Sequence, residues 1–319
     1  MSEKRPVWID TDTGVDDAFA LVTALKLPNI DVVGVSAVAG NVELEKTFRN
    51  ARNVLSLCGR EDIRVYKGAE RPLIVPLHTA YNVHGEDGLG GVAIKDSKAQ
   101  IEEESAVDAL YRKAKELNGE LCIAAVGPLT NIAIAIFKYP DIVRYIKELA
   151  VMGGSVAVGG NTTVAAEFNI YGDPHAAQAV FKSGIPITMF GLDVTMKTVL
   201  TRGEVDTLRD MDNDVARFCY AASNAPMSLY KMLGLGDVMC MHDTCPLVYL
   251  NEPDLFKGKQ AGVYVETQSE ISLGRTVSDI FVHADKLFDR KNAMVMLEVD
   301  RDKVAELVLG TFKAYQEEL

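Results

Sequence analysis

The feature that most restricts the fold is an alternation. Short runs too apolar to leave one face in water (residues 7–10, 32–38, 121–126, 149–152 and 187–190) are separated by stretches with helical spacing. Strands buried on both faces belong to parallel sheets, whose crossover helices cover each side. The helical stretches are 17–27, 43–57, 106–117, 131–137 and 174–182. Two more follow residue 201, then strand-like runs at 261–266, 276–281 and 294–299 and a closing helix from about residue 302. No repeat, low-complexity segment or Pro/Ser-rich linker interrupts the pattern. The expectation is one α/β domain over residues 1–319: an open, mainly parallel (mixed), Rossmann-like sheet with helices on both faces. In such sheets ligands sit at the carboxyl ends of the strands, and the chemistry is sought there.

The first such end is the most unusual. The strand PVWID runs into TDTGVDD and then a helix, so Asp10, Asp12, Asp16 and Asp17 crowd one strand-to-helix turn in which Gly14 gives backbone freedom. An aspartate capping the helix accounts for one or two of them. It does not account for four, because carboxylates so close repel one another and rise in pKa unless a cation neutralises them. Carboxylate oxygens without nearby His or Cys point to calcium or magnesium. An EF-hand is excluded, since its glycine and its glutamate positions, counted from Asp10, hold Val15 and Leu21. A phosphatase with Asp10 as nucleophile and Asp12 as acid also fits the D-x-D spacing and stays open at this point.

Later segments offer partners. MHDTCP puts His242 beside Asp243, a carboxylate for a metal and an imidazole for proton donation, although a packed His and a capping Asp explain the pair as simply. Cys240 and Cys245 flank it, but no second Cys/His pair has zinc spacing. GGNTTVAAEFNIYGDP gathers Asn161, Glu167 and Asn169, groups suited to sugar hydroxyls and equally to ordinary turns. NVHGEDGLGG carries His84 in a Gly-rich loop, read either as a mobile loop that closes over a site or as plain surface.

Composition removes other classes. The formal net charge is −12 and no Lys/Arg block offers a track for phosphates, which argues against nucleic acid. The N-terminus lacks the apolar core of a signal peptide, and Gly127, Pro128, Thr130 and Asn131 interrupt the greasiest stretch, so a cytoplasmic protein without a membrane span is expected. Five cysteines, an odd number, fit reduced thiols.

Taken together, DTDTGVDDA (10–18), VAGNV (38–42), VHGEDGLG (83–90), AVGPLTNIA (125–133), MGGS (152–155), AEFNI (166–170), GLDVT (191–195) and MHDTC (241–245) closely resemble the inosine-uridine-preferring nucleoside hydrolases. The resemblance runs along most of the chain and is nearest to bacterial members that accept purine and pyrimidine ribonucleosides. It implies one Ca²⁺ per subunit, held by Asp12, Asp17, the carbonyl of Val126 and Asp243, with ribose hydroxyls and a water completing the shell. Asp12 would take a proton from that water as it attacks the anomeric carbon. Asp16, Asn41 and Asn169 would contact the ribose hydroxyls, Asn161 and Glu167 the 5′-hydroxyl. His242 would protonate the departing base, and His84 and Tyr230 would line its pocket. The sole tryptophan, Trp8, precedes the acidic turn, unlike purine-specific relatives that stack the base between tryptophans. Glu167 in an acidic protein should repel a 5′-phosphate, favouring nucleosides over nucleotides. A homodimer or homotetramer is implied as well. The competing readings are the Mg²⁺-dependent phosphatase and a ribose- or nucleoside-binding protein without turnover.

Overall fold

The computed structural model describes residues 4–280 and 291–316. One eight-stranded sheet draws on nearly the whole length. Its strands are β1 (Arg5–Thr11), β2 (Ile30–Ala37), β3 (Val65–Lys67), β4 (Leu121–Ala125), β5 (Ile146–Met152), β6 (Ile187–Phe190), β9 (Phe256–Ala261) and β12 (Ala293–Val299). Two small ribbons, β7 (Val199–Thr201) with β8 (Val238–Cys240) and β10 (Val263–Val265) with β11 (Thr276–Ser278), stand apart from it. The order in the large sheet is β3-β2-β1-β4-β5-β6-β12-β9. Every pairing is parallel except β9 against β12, so the sheet is mixed as expected.

The all-apolar strands are explained by what each face meets. Along β1, Val7 and Ile9 enter one core and Trp8 the other; along β4, Cys122 and Ala124 oppose Leu121, Ile123 and Ala125. Helices α1 (Val15–Ala24), α2 (Leu44–Leu57), α10 (Asp214–Met232), α11 (Thr244–Asn251) and α12 (Arg301–Ala314) fill the first core, and α4 (Ala106–Leu117), α5 (Thr130–Lys138) and α7 (Pro174–Phe181) the second. Full burial of each large side chain such as Phe19 or Phe181 contributes roughly 1.5–3 kcal/mol. The remaining helices are α3 (Tyr81–His84), α6 (Phe168–Gly172), α8 (Leu192–Thr195) and α9 (Arg202–Arg209). Among the described residues, no helix is long and apolar enough to cross a membrane.

Three sequence expectations shift. The run at 261–266 divides at Gly262 between β9 and β10, and the Gly-rich segment around His84 begins with the helical turn α3. The run at 276–281 is a strand only over Thr276–Ser278, and Phe281 lies outside the described residues.

The chain lays β1, β2 and β3 in one direction from the centre, then returns to place β4, β5 and β6 in the other. The two halves diverge between β1 and β4, and the crevice beyond their carboxyl ends is where such sheets bind ligands.

Candidate active site

The acidic turn and the ends of β2, β4, β5 and β6 open onto one cleft of about 820 Å³. It is lined by Asp16, Asn41, His84, Val126, Asn161, Glu167, Asn169, Tyr230, His242 and Asp243, with Asp12 and Asp17 buried just beneath. All the proposed site residues therefore converge. Asp10 does not join them. It points into the fold, where Oδ1 accepts from Ser36 Oγ and from Asn131 Nδ2 at 2.7 Å, and Ser36 in turn accepts from Trp8 Nε1 at 2.7 Å.

The turn after β1 is held by its own side chains. Gly14 occupies the N-cap of α1, and Asp17, three residues on, accepts the Gly14 N–H at 2.8 Å, the Thr11 hydroxyl at 2.5 Å and Asn41 Nδ2 at 3.0 Å. Asp12 Oδ2 accepts the Asn41 N–H at 2.7 Å, whereas Oδ1 is buried without a donor, as is Asp16 Oδ1. Space for Asp12 depends on two glycines: a Cβ at Gly40 would lie 2.1 Å from its Oδ2, and one at Gly127 2.8 Å from its Oδ1. Asp243 stands at the N-cap position of α11 yet makes no side-chain capping bond, so its carboxylate is left for the cluster.

Oxygens of Asp16, Asp17 and Asp243 approach within 4.8 Å of one another. Asp16, expected on the ribose, thus stands with two of the expected ligands, Asp17 and Asp243. Burial pushes the Asp17 carboxyl up to about 7, with the charge of Asp16 adding to it. Burial first, then neighbouring carboxylates, raises Asp12 and Asp243 well above the ordinary range. The basic side chain beside the cluster is His84, whose Nδ1 is 3.9 Å from Asp16 Oδ1. Buried acids of this density need protons or a cation, and orphaned oxygens on an all-oxygen donor set suit a hard divalent ion.

Two amides turn their donors away from the cleft. Asn169 Nδ2 donates to the carbonyls of Val126 at 2.9 Å and Met152 at 3.2 Å, and Asn41 Nδ2 to Asp17 and to the Asp12 carbonyl at 3.3 Å. Their oxygens remain as acceptors, the polarity that sugar hydroxyls require. The Val126 carbonyl keeps a second lone pair. Glu167 is buried and caps α6, accepting N–H groups of Asn169 at 2.9 Å, Ile170 at 3.2 Å and Gly154 at 2.8 Å; burial nonetheless pushes it up to about 7. Asn161 is exposed and accepts from Phe168 N at 2.9 Å.

On the opposite wall, His242 lies between Tyr230 Oη, 2.8 Å from Nε2, and Thr195 Oγ1, 2.8 Å from Nδ1. His84 Nδ1 accepts the Val15 N–H at 3.1 Å, so its proton is on Nε2. The loop after α3 is pinned by Asn50, whose Nδ2 donates to the carbonyls of Asp87 at 2.8 Å and Thr13 at 3.2 Å. Burial lowers both imidazoles below their ordinary pKa.

Sequence reasoning missed Thr195 and the two glycines at Asp12. GLDVT, VAGNV and AVGPLTNIA all carried the resemblance, but only spatial proximity shows what their Thr195, Gly40 and Gly127 touch. His78, which lines the cleft with its Nε2 3.2 Å from Thr162 Oγ1, carries no motif signal.

The model of the inosine-uridine preferring nucleoside hydrolases matches residues 7–306. The chain belongs to that family. The pyrimidine-specific ribonucleoside hydrolase RihA of Shewanella sp. (strain MR-7) is 38% identical over 312 residues, 98% of this chain and 97% of that protein. RihA of Salmonella typhi is 37% identical over 311 residues, 97% of this chain and 99% of that protein. Among solved structures, a purine-preferring ribonucleoside hydrolase from Gardnerella vaginalis superposes with a TM-score of 0.92 at 31% identity, covering 98% of this chain and 100% of its own. The plant nucleoside hydrolase PpNRh1 gives 0.92 at 33%, covering 97% and 99%. This nucleoside hydrolase is thus an enzyme acting on N-glycosyl compounds. Its cleft carries an acidic cluster that could hold a metal.

Proposed function

We propose that the protein hydrolyses the N-glycosidic bond of purine and pyrimidine ribonucleosides to ribose and free base, with one Ca²⁺ in each subunit. The observation that carries this reading is the pair of buried, orphaned oxygens, Asp12 Oδ1 and Asp16 Oδ1, on one buried and one half-buried carboxylate at the floor of a cleft large enough for a nucleoside. Asp12, Asp17 and Asp243 with the Val126 carbonyl would hold the ion, and Asp16 is near enough to join them or to reach the ribose. When bound, the ion supplies charge that steadies adjacent sugar hydroxyls and makes a water more acidic.

The chain's own groups supply the rest. Asp12 takes the proton of the attacking water through its free oxygen. Asp16 and the amide oxygens of Asn41 and Asn169 accept from the ribose hydroxyls, and these negative and partly negative groups face the carbon that becomes oxocarbenium-like. Asn161 and Glu167 lie toward the 5′ end. His242 and Tyr230, hydrogen-bonded to each other, donate to the leaving base, with His84 lining its pocket. The similarity to both a pyrimidine-specific and a purine-preferring enzyme supports a broad base range. The phosphatase alternative loses support because Asp10 is completely buried, does not line the cleft, and has its Oδ1 held by Ser36 and Asn131 inside the fold.

The test is to incubate the protein with inosine, uridine, cytidine, adenosine and AMP, measuring reducing sugar and phosphate with and without a calcium chelator. Ribose from nucleosides, little from AMP, and loss on chelation are expected. Phosphate release from AMP without ribose from any nucleoside would overturn the proposal.

A further inference from the structure

The one-turn helix α8, from the GLDVT segment, contributes no group to the chemistry described above, yet it ties two walls of the cleft together. Asp193 accepts the N–H groups of Val156 and Ala157, both at 2.8 Å, at the root of the loop that carries Asn161. Two residues on, Thr195 Oγ1 sits 2.8 Å from His242 Nδ1. Thr195 is completely buried, and among the described residues its hydroxyl meets no other hydrogen-bond partner.

We infer that Thr195 is the positioning residue that sets the tautomer and ring orientation of His242. A hydroxyl sealed from water loses about 1–3 kcal/mol if its proton has no acceptor. The acceptor it meets is His242 Nδ1, so Thr195 donates and Nδ1 carries no proton in the neutral ring. The ring proton is then on Nε2, directed at Tyr230 Oη on the cleft side. Without the hydroxyl, the opposite tautomer would present a lone pair where a departing base needs a donor. Asp193 keeps the turn in place, because rotating α8 would break both of its bonds to the opposite loop. The catalytic consequence rests on the hydrolase reading given above; the tautomer does not.

The test uses Thr195→Val, which keeps the shape and removes the hydroxyl, and Thr195→Ser, which restores it. In protein labelled with ¹⁵N-histidine, with the His242 signal assigned by its loss in H242Q, the wild type should show an unprotonated Nδ1 and a protonated Nε2. T195V should shift or mix that pattern, and T195S should recover it. For turnover, T195V should lower kcat on uridine by about 10- to 100-fold with KM nearly unchanged. On nitrophenyl riboside, whose leaving group needs no donor, the loss should stay within about twofold, and T195S should rescue uridine turnover. A protonated Nδ1 in the wild type, or an unchanged spectrum in T195V, overturns the assignment even if no nucleoside is hydrolysed. Equal losses on both substrates, with the tautomer altered as expected, overturn the catalytic consequence.

Discussion

Gly40→Ala probes the seat of Asp12 from behind. The new Cβ would lie 2.1 Å from Asp12 Oδ2, where ordinary contact begins at 3.4 Å, so roughly 1.3 Å of separation must be found. The movement also threatens the 2.7 Å bond from Asn41 N to the same oxygen. Overpacking of this kind costs about 1–3 kcal/mol. A weakened bond to a charged group adds to that, so a total near 2–4 kcal/mol is expected. Displacing the proposed base by about 1 Å should lower kcat/KM by about 100-fold or more. The decisive assay is a double-mutant cycle on urea stability. In an Asp12→Ala background the nearest remaining contact is with the Asp12 Cβ at 2.9 Å, so most of the conflict is gone and Gly40→Ala should cost only about 1 kcal/mol. Gly203→Ala in α9, where a Cβ meets nothing within 4 Å, should instead gain up to about 1 kcal/mol. An equal Gly40→Ala cost in both backgrounds, or wild-type activity in the single variant, would refute the packing argument.

Other perturbations separate the remaining roles. His242→Ala should reduce kcat on inosine and uridine by about 10² or more while sparing nitrophenyl riboside, and parallel losses would reject its leaving-group role. Added Ca²⁺ should raise the melting temperature of chelator-treated protein in a concentration-dependent way, by about 2.7 kcal/mol of stability at 100 times Kd; a melting curve indifferent to the ion would exclude a site in the fold. Glu204, bonded to Arg301 and to the Thr201 N–H and hydroxyl, is held down to about 2 chiefly by that guanidinium. Because its folded pKa is depressed, its stabilisation is present above about pH 4.5 and disappears as pH falls toward 2. Glu204→Gln should therefore cost about 1–2 kcal/mol at pH 7, after solvent screening, and converge with the wild type near pH 2, as read by urea midpoints.

The alternation of apolar strands and amphipathic helices made the sheet legible because burial on both faces erases the polar alternation of a wet strand. β9 escaped for the opposite reason. It is an edge strand whose central residues, Lys257–Gln260 in the FKGKQA segment, face solvent, and its apolar ends alone give no period. β3 is only three residues long, too short to register. At the site, the acidic turn declared itself through charge crowding, and the resemblance brought distant residues to the same cleft. Asp10 was readable as structural only by contrast; its partners Ser36 and Asn131 are 26 and 121 positions away. The proximity of Asp16 to Asp17 and Asp243 likewise depends on where α11 begins relative to α1, which local sequence does not encode.

The central claim is that a buried carboxylate floor drives water onto a ribosyl carbon, with Asp12 as the base. Its most direct test is kcat of purified Asp12→Asn on uridine and inosine, with the fold checked by circular dichroism. Turnover should fall by about 10²- to 10⁴-fold in a folded protein. Near-normal ribose release from that variant would contradict it.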